Sequence, residues 1–212
     1  MSCWNVSERR IFSKLTTPYK VQLYLDALPY NIEELTRSPR EMLRAGSAHC
    51  FDGALFAAAA LAELGYPPLI VDLRSNGKDS DHILAVFQES GCWGAVAKSN
   101  FTGCRYRDPV FRSLRELVMS YFYIYFNLAG EKTLREYSQT FDLRKLKDVP
   151  WRTTSENLDP LSARLNAVRH FWLINKRQEK HLAPIDDRTF RGETLGLDPR
   201  GAHKVKNSKL MA

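Results

Sequence analysis

The sequence predicts an α+β domain in which one central, buried helix packs on a small antiparallel sheet. Three observations carry that prediction. First, the stretch "FDGALFAAAALAEL" (51–64) has only Asp52 and Glu63 as polar side chains, besides Gly53. A helix that is apolar all round has to be enclosed on every side. Second, "HILAVFQ" and "CWGAVAKSN" flank "ESG" (89–91), the pattern of two strands joined by a hairpin, and the β-branched "PLIVDLRS" ahead of them reads as a third strand. Third, 212 residues at 44% hydrophobic content suit one large domain, or a domain with an appendage, built on its own core.

The elements follow in order. "TPYKVQLYLDALPYN" reads as a helix with apolar residues at Val21, Leu23, Leu25 and Leu28, and it stops at Pro29. "SPREMLRAG" holds a full set of helix signals: Ser38 as cap, Pro39 at the first position, Glu41 three residues after the cap and Gly46 at the end. In "GSAHCFDGALFAAAALAELGYPP" (46–68), Ser47 is a candidate cap. Asp52 favours the positive end of the helix dipole, and Gly65 with two prolines beyond it closes the helix. "SNGKDSD" is a polar loop, followed by the hairpin. "FRSLRELVMSYFYIYFNLAG" (111–130) is expected as one long helix ending at Gly130, its aromatics serving as packing or as a stacking platform for a ligand. "GEKTLREYS" reads as a further helical turn and "DPLSARLNAVRHFWLINKRQ" as one more helix. The expected organisation is a core with flanking helices over residues 1–150, a helical extension over 151–191, and a flexible basic tail over 192–212.

Charge and cysteine usage exclude several classes. Net charge is +7, and residues 176–212 hold nine Lys/Arg against five Asp/Glu. No nucleic-acid motif or Gly-rich phosphate loop accompanies that excess, so a solvated basic surface is expected and nucleic acid is not the expected partner. The cysteines (Cys3, Cys50, Cys92, Cys104) form no CxxC pair and no zinc-ligand spacing, and no acidic loop of the EF-hand type is present, so neither metal nor other cofactor is expected. The longest apolar run, 54–62, is too short to span a bilayer, and the charged "MSCWNVSERRIFSK" lacks the apolar core of a signal peptide. A cytoplasmic protein with reduced thiols, not membrane-bound, is expected.

Cys50 begins the apolar helix. A thiol attacks as thiolate, and with a free pKa of about 8.5 it is helped by a helix N-terminus and a neighbouring histidine. Of the five histidines, His49 adjoins Cys50 and points elsewhere, His203 lies in the tail, and His170 and His181 belong to the last helical region. His82, at a strand start after a polar loop, is the candidate base. Both residues also admit a plainer role, Cys50 as a small buried side chain and His82 as a hydrogen-bonded strand residue.

The order of "GSAHC", "LGYPP", "DHILAVF" and "GCWGAVA" over about residues 38–97 resembles the transglutaminase-like core, a variant of the papain-like fold. The downstream "RYRDPVFRSLRELVMSYF" is similar to a segment found in a bacterial group carrying that core. The resemblance implies Cys50 as nucleophile, His82 as base and an acid on the next strand to orient the imidazole. Its pattern puts that acid four residues after Trp93, at Ala97. A hairpin tip at Glu89 and Ser90 likewise sets His82 opposite Ala97. Alanine cannot orient a histidine. Ser99, reached by a two-residue slip, and Asn100, whose amide can orient imidazole, are the nearer substitutes, and Asp108 and Asp81 are more remote. Trp93, Lys98 and Ser99 are candidate substrate-binding residues at the cleft edge. The expected activity is thiol acyl chemistry on a peptide or amide, as hydrolase or acyltransferase. The alternative is a binding module without turnover on the same fold.

Overall fold

The computed structural model describes residues 3–33 and 35–211, the side chain of Met211 excepted. Four helices come first: α1 (Val6–Phe12), α2 (Pro18–Asp26), α3 (Pro39–Ala45) and α4 (Cys50–Glu63). They are followed by β1 (Leu69–Ser75), β2 (His82–Glu89), β3 (Cys92–Val96), β4 (Arg107–Phe111), α5 (Leu114–Phe122), β5 (Leu134–Ser138) and β6 (Phe141–Asp142). The chain ends with α6 (Pro160–Asn166), β7 (His170–Trp172), α7 (Lys176–Glu179) and α8 (Asp187–Glu193). The strands form one open sheet in the order β4-β3-β2-β1-β5-β7, with β6 also pairing β1, and every pairing is antiparallel. The fold class is α+β, with α4 packed on the sheet.

The sheet has helices on both faces because β2 is buried on both. Ile83, Ala85 and Phe87 face the core built around α4. Leu84 and Val86 face a second core with Leu117, Val118 and Tyr121 of α5. Helix α4 is enclosed as its composition requires: Leu55, Phe56 and Leu61 are fully buried, each contributing about 1.5–3 kcal/mol by leaving water. Its cap is His49, whose Nδ1 accepts from the Phe51 N–H at 3.0 Å, rather than Ser47. Gly65, at φ 93°, turns the chain out after it. Helix α3 has the expected ends: Ser38 Oγ accepts from Glu41 N–H, and Gly46 is left-handed. No helix among the described residues is long and apolar enough to cross a membrane.

Several expectations are corrected. The long helix over 111–130 is only α5; Phe111 belongs to β4, Ser113 caps α5, and Gly130 (φ 81°) closes a tight loop instead of a helix. "LREYS" forms β5, because pairing with β1 buries four of its five residues and overrides local helix preference. The last expected helix divides into α6, β7 and α7, since His170, Phe171 and Trp172 extend the sheet beside β5. Pro150 therefore marks no break: β7 completes the same sheet, and Leu158, Leu161 and Leu165 join the α4 core.

The hairpin register also differs. The tip is Ser90 (φ 50°) and Gly91 (φ 77°), two left-handed residues that suit the twist of a tight hairpin. Glu89 pairs Cys92, and the ladder ends at Ala85 opposite Val96. His82 is not opposite Ala97; its Cα partner is Leu73 on β1.

Finally, residues 192–210 are packed rather than loose. Leu197, Ala202 and Val205 sit against Phe101, Phe126 and Phe190, and the backbone N–H of Lys209 donates to Leu128 O at 2.7 Å. The alternation of charged residues with only three apolar anchors hid this strap in the sequence.

Candidate active site

Cys50, His82, Ser99 and Asn100 open on one cavity of about 70 Å³, together with Tyr30 and His203. Helix α4 delivers Cys50 at its first turn, and β2 delivers His82 at its first residue. The connection after β3 adds Ser99, Asn100, Phe101 and Cys104 to the wall, and the loop before β2, the segment after α5 and residues 201–203 supply the rest.

The imidazole of His82 is buried, and its Nε2 lies 2.9 Å from the Cys104 carbonyl oxygen. A carbonyl only accepts, so Nε2 carries the proton and Nδ1 holds the lone pair. Among the described residues Nδ1 has no hydrogen-bond partner. The orienting role expected of an acid at position 97 is thus filled by a main-chain carbonyl seven residues later. Tyr125 packs edge-on to the ring at 6.4 Å between centroids and donates its hydroxyl to Ser80 O at 2.7 Å. That contact steadies the loop leading into β2.

Cys50 is half-buried at the inner wall. Its Sγ lies 4.0 Å from Asp81 O, and among the described residues no hydrogen bond joins it to His82. Burial pushes the thiol up to about 11, while the Ile83 N–H pulls the other way and Asp52 reinforces the rise. Burial pulls His82 down to about 4, opposed by its bond to Cys104. The resting site is therefore an uncharged thiol and a neutral imidazole, not the ion pair that a helix N-terminus and a histidine suggest. Dehydration outweighs both stabilising fields here.

The other candidates separate. Asn100 borders the cavity but is engaged with the strap: its Nδ2 donates to Asp198 O at 2.8 Å and its Oδ1 accepts from Asp198 N–H at 2.9 Å. Ser99 Oγ accepts from the Phe101 N–H, shaping the same turn. Lys98 is not a cleft residue. It is buried, and its Nζ donates to the Leu25 and Leu28 carbonyls at the end of α2. Trp93 lies on the far face, beside the α5 core and paired with Phe111. Ala97 is buried, with both main-chain groups held by Gln22: Nε2 donates to Ala97 O at 2.9 Å and Oε1 accepts its N–H at 3.1 Å.

Asp108 lies outside the cavity. Asp81 borders the cavity, and its carboxylate accepts from the Ser75 N–H at 2.8 Å. His170 is a sheet tie, with Val168 O at 2.8 Å from Nδ1 and Asp72 Oδ2 at 3.0 Å from Nε2. Tyr30 and the Cys104 carbonyl were missed in the sequence. Nothing marks a lone tyrosine between helices, and a carbonyl has no residue signature. Among the described residues no group of three His, Cys, Asp or Glu side chains is arranged to hold a metal ion. No protein-family model matches this chain, and no curated protein matches it.

Proposed function

We propose that the protein carries out thiol-dependent acyl chemistry on a peptide or amide, on a transglutaminase-like core, with Cys50 as nucleophile and His82 as base. The observation that carries this reading is the shared cavity of Cys50 and His82, with the Cys104 carbonyl fixing the tautomer whose Nδ1 accepts a proton. Sulfur attacks the carbonyl carbon as its proton passes to Nδ1, directly after rotation of the thiol or through one water. The tetrahedral intermediate then collapses. The C–N bond breaks, Nδ1–H protonates the departing amine, and a thioester forms on Cys50. Water or a second amine attacks the thioester, His82 takes its proton, and the sulfur leaves and recovers it. Water makes the protein a hydrolase and an amine makes it an acyltransferase.

A neutral resting pair suits this sequence of steps, because the proton moves with the attack and no thiolate need be held beforehand. The second reading, a binding module without turnover, is favoured by the proton that Cys50 holds up to about 11.

The test is acetylation by p-nitrophenyl acetate, read by mass mapping of the Cys50 peptide. The wild type is expected to accumulate an acetyl thioester at Cys50, Cys50→Ala none, and His82→Ala to form it about 100-fold more slowly, the usual scale of a lost general base. Equal rates in wild type and His82→Ala would overturn the acyl reading and leave the binding module.

A further inference from the structure

The cavity of Cys50 and His82 is walled in part by the chain's own later segment: Gly201, Ala202 and His203 line it together with Cys50 and His82.

The way this segment is held bears on what belongs there. Asn100 makes two hydrogen bonds to one residue, Asp198, and both go to main-chain groups. Such a pair reads a peptide backbone whatever the side chain. Three residues on, after a single 3-10 turn (Pro199–Gly201), Gly201 lies flat against Tyr30. A Cβ at Gly201 would come within 2.9 Å of the Tyr30 ring carbons and 3.3 Å of Asn100 Nδ2. Its backbone is not left-handed, so the position requires a small residue for space alone. The chain then runs extended through Ala202 (φ −102°, ψ 148°) toward His203. Leu197, Ala202 and Val205 pack on the Phe101–Phe126–Phe190 cluster and fasten the segment.

We propose that residues 198–203 occupy the place of a peptide substrate. Asn100 pairs with the main chain of whichever peptide lies there, Tyr30 admits only a small residue, and the chain's own segment competes with substrates for the cleft. The proposal rests on the acyl reading for the identity of the cleft and names its substrate class: a peptide with glycine, or at most a very small residue, against Tyr30. Access to Cys50 then scales with the fraction of molecules whose strap is displaced.

The test uses the full chain and iodoacetamide, with Cys50 followed by peptide mapping because Cys3 is exposed and labels as well. Gly201→Val inserts atoms where Tyr30 leaves no room. Asn100→Asp keeps the acceptor for the Asp198 N–H and loses the donor to its carbonyl. Both are expected to label about tenfold faster than wild type at neutral pH, because a larger fraction of molecules exposes Cys50. An excess of the synthetic peptide GLDPRGAHKVK (196–206) is expected to slow Gly201→Val labelling back toward wild type, and to do so much less in Asn100→Asp.

Labelling at the wild-type rate in a folded variant would overturn the covering role. Acceleration that the peptide fails to reverse in Gly201→Val would overturn the substrate-like role. If Gly201→Val does not fold, Asn100→Asp decides the first point by its own rate. The second is then decided by whether a large excess of peptide slows its labelling more than a scrambled peptide does. None of these readouts involves acyl transfer, so a failed acetylation test on His82→Ala sinks the acyl reading separately.

Discussion

At the scale of single residues, the site is set by dehydration. Cys50 is held protonated up to about 11 and His82 neutral down to about 4, each chiefly by burial. The pair therefore does not titrate across the neutral range. Acetylation of Cys50 is expected to be level from about pH 5 to about pH 9 and to fall below about pH 4 as the base becomes protonated. A rate that instead rises tenfold per pH unit through neutrality would mean free thiolate attack without His82. The sequence made Cys50 and His82 legible because a helix start and a strand start are patterned positions. It misled at Lys98, read as a cleft donor when its four-carbon stem carries the ammonium inward to the end of α2. It was silent on Cys104, since every residue has a carbonyl and only the path of the 97–106 connection selects one.

At the scale of elements, α4 and the connection after β3 are fitted to each other through Gly53. A Cβ at that position would come within 2.4 Å of Lys98 Cβ. Alanine normally gains about 1 kcal/mol over glycine inside a helix. Here the clash reverses the sign, and Gly53→Ala is expected to lower unfolding stability by about 1–3 kcal/mol, measured by urea denaturation. Equal or higher stability would show that Lys98 moves aside at little cost.

Helices α3 and α4 were legible because their signals are local: a serine cap, a glycine end and an unbroken apolar run. Strands β4, β5 and β7 were not. "RDPVF", "LREYS" and "HFW" are short or charged, and their preference for the sheet comes from partners distant in the chain. The register was lost for a related reason. A tip at Ser90 and Gly91 needs a non-glycine left-handed residue, which no simple turn rule selects.

At the scale of the whole molecule, the buried histidine ties stability to pH. His82 has its pKa lowered to about 4, against about 6.5 in an unfolded chain. Between those values the unfolded chain binds a proton that the folded one refuses, so stability rises with pH across the window and is lost as pH falls. Asp72 and Asp79, raised chiefly by burial, act in the opposite direction. The His82 part is therefore isolated by comparing slopes. Between pH 7 and pH 4.5 the wild type is expected to lose about 2 kcal/mol more than His82→Gln, read from urea midpoints at each pH. Parallel losses would mean that His82 is as easily protonated in the fold as outside it.

The single sheet running from β4 to β7, and the strap returning over its end, bring the last fifty residues into the same folding unit as the first. A mutational scan of such a molecule has a built-in blind spot. Substituting every residue in turn changes every side chain and leaves every peptide carbonyl in place, so the acceptor at Cys104 that aims the imidazole survives the whole experiment. That carbonyl would go unseen, and the candidate site would be scored as Cys50 and His82 alone. Only a change in the backbone itself exposes it. An ester in place of the amide between Cys104 and Arg105, introduced by semisynthesis, weakens that carbonyl as an acceptor and should slow Cys50 acetylation while every side chain stays the same.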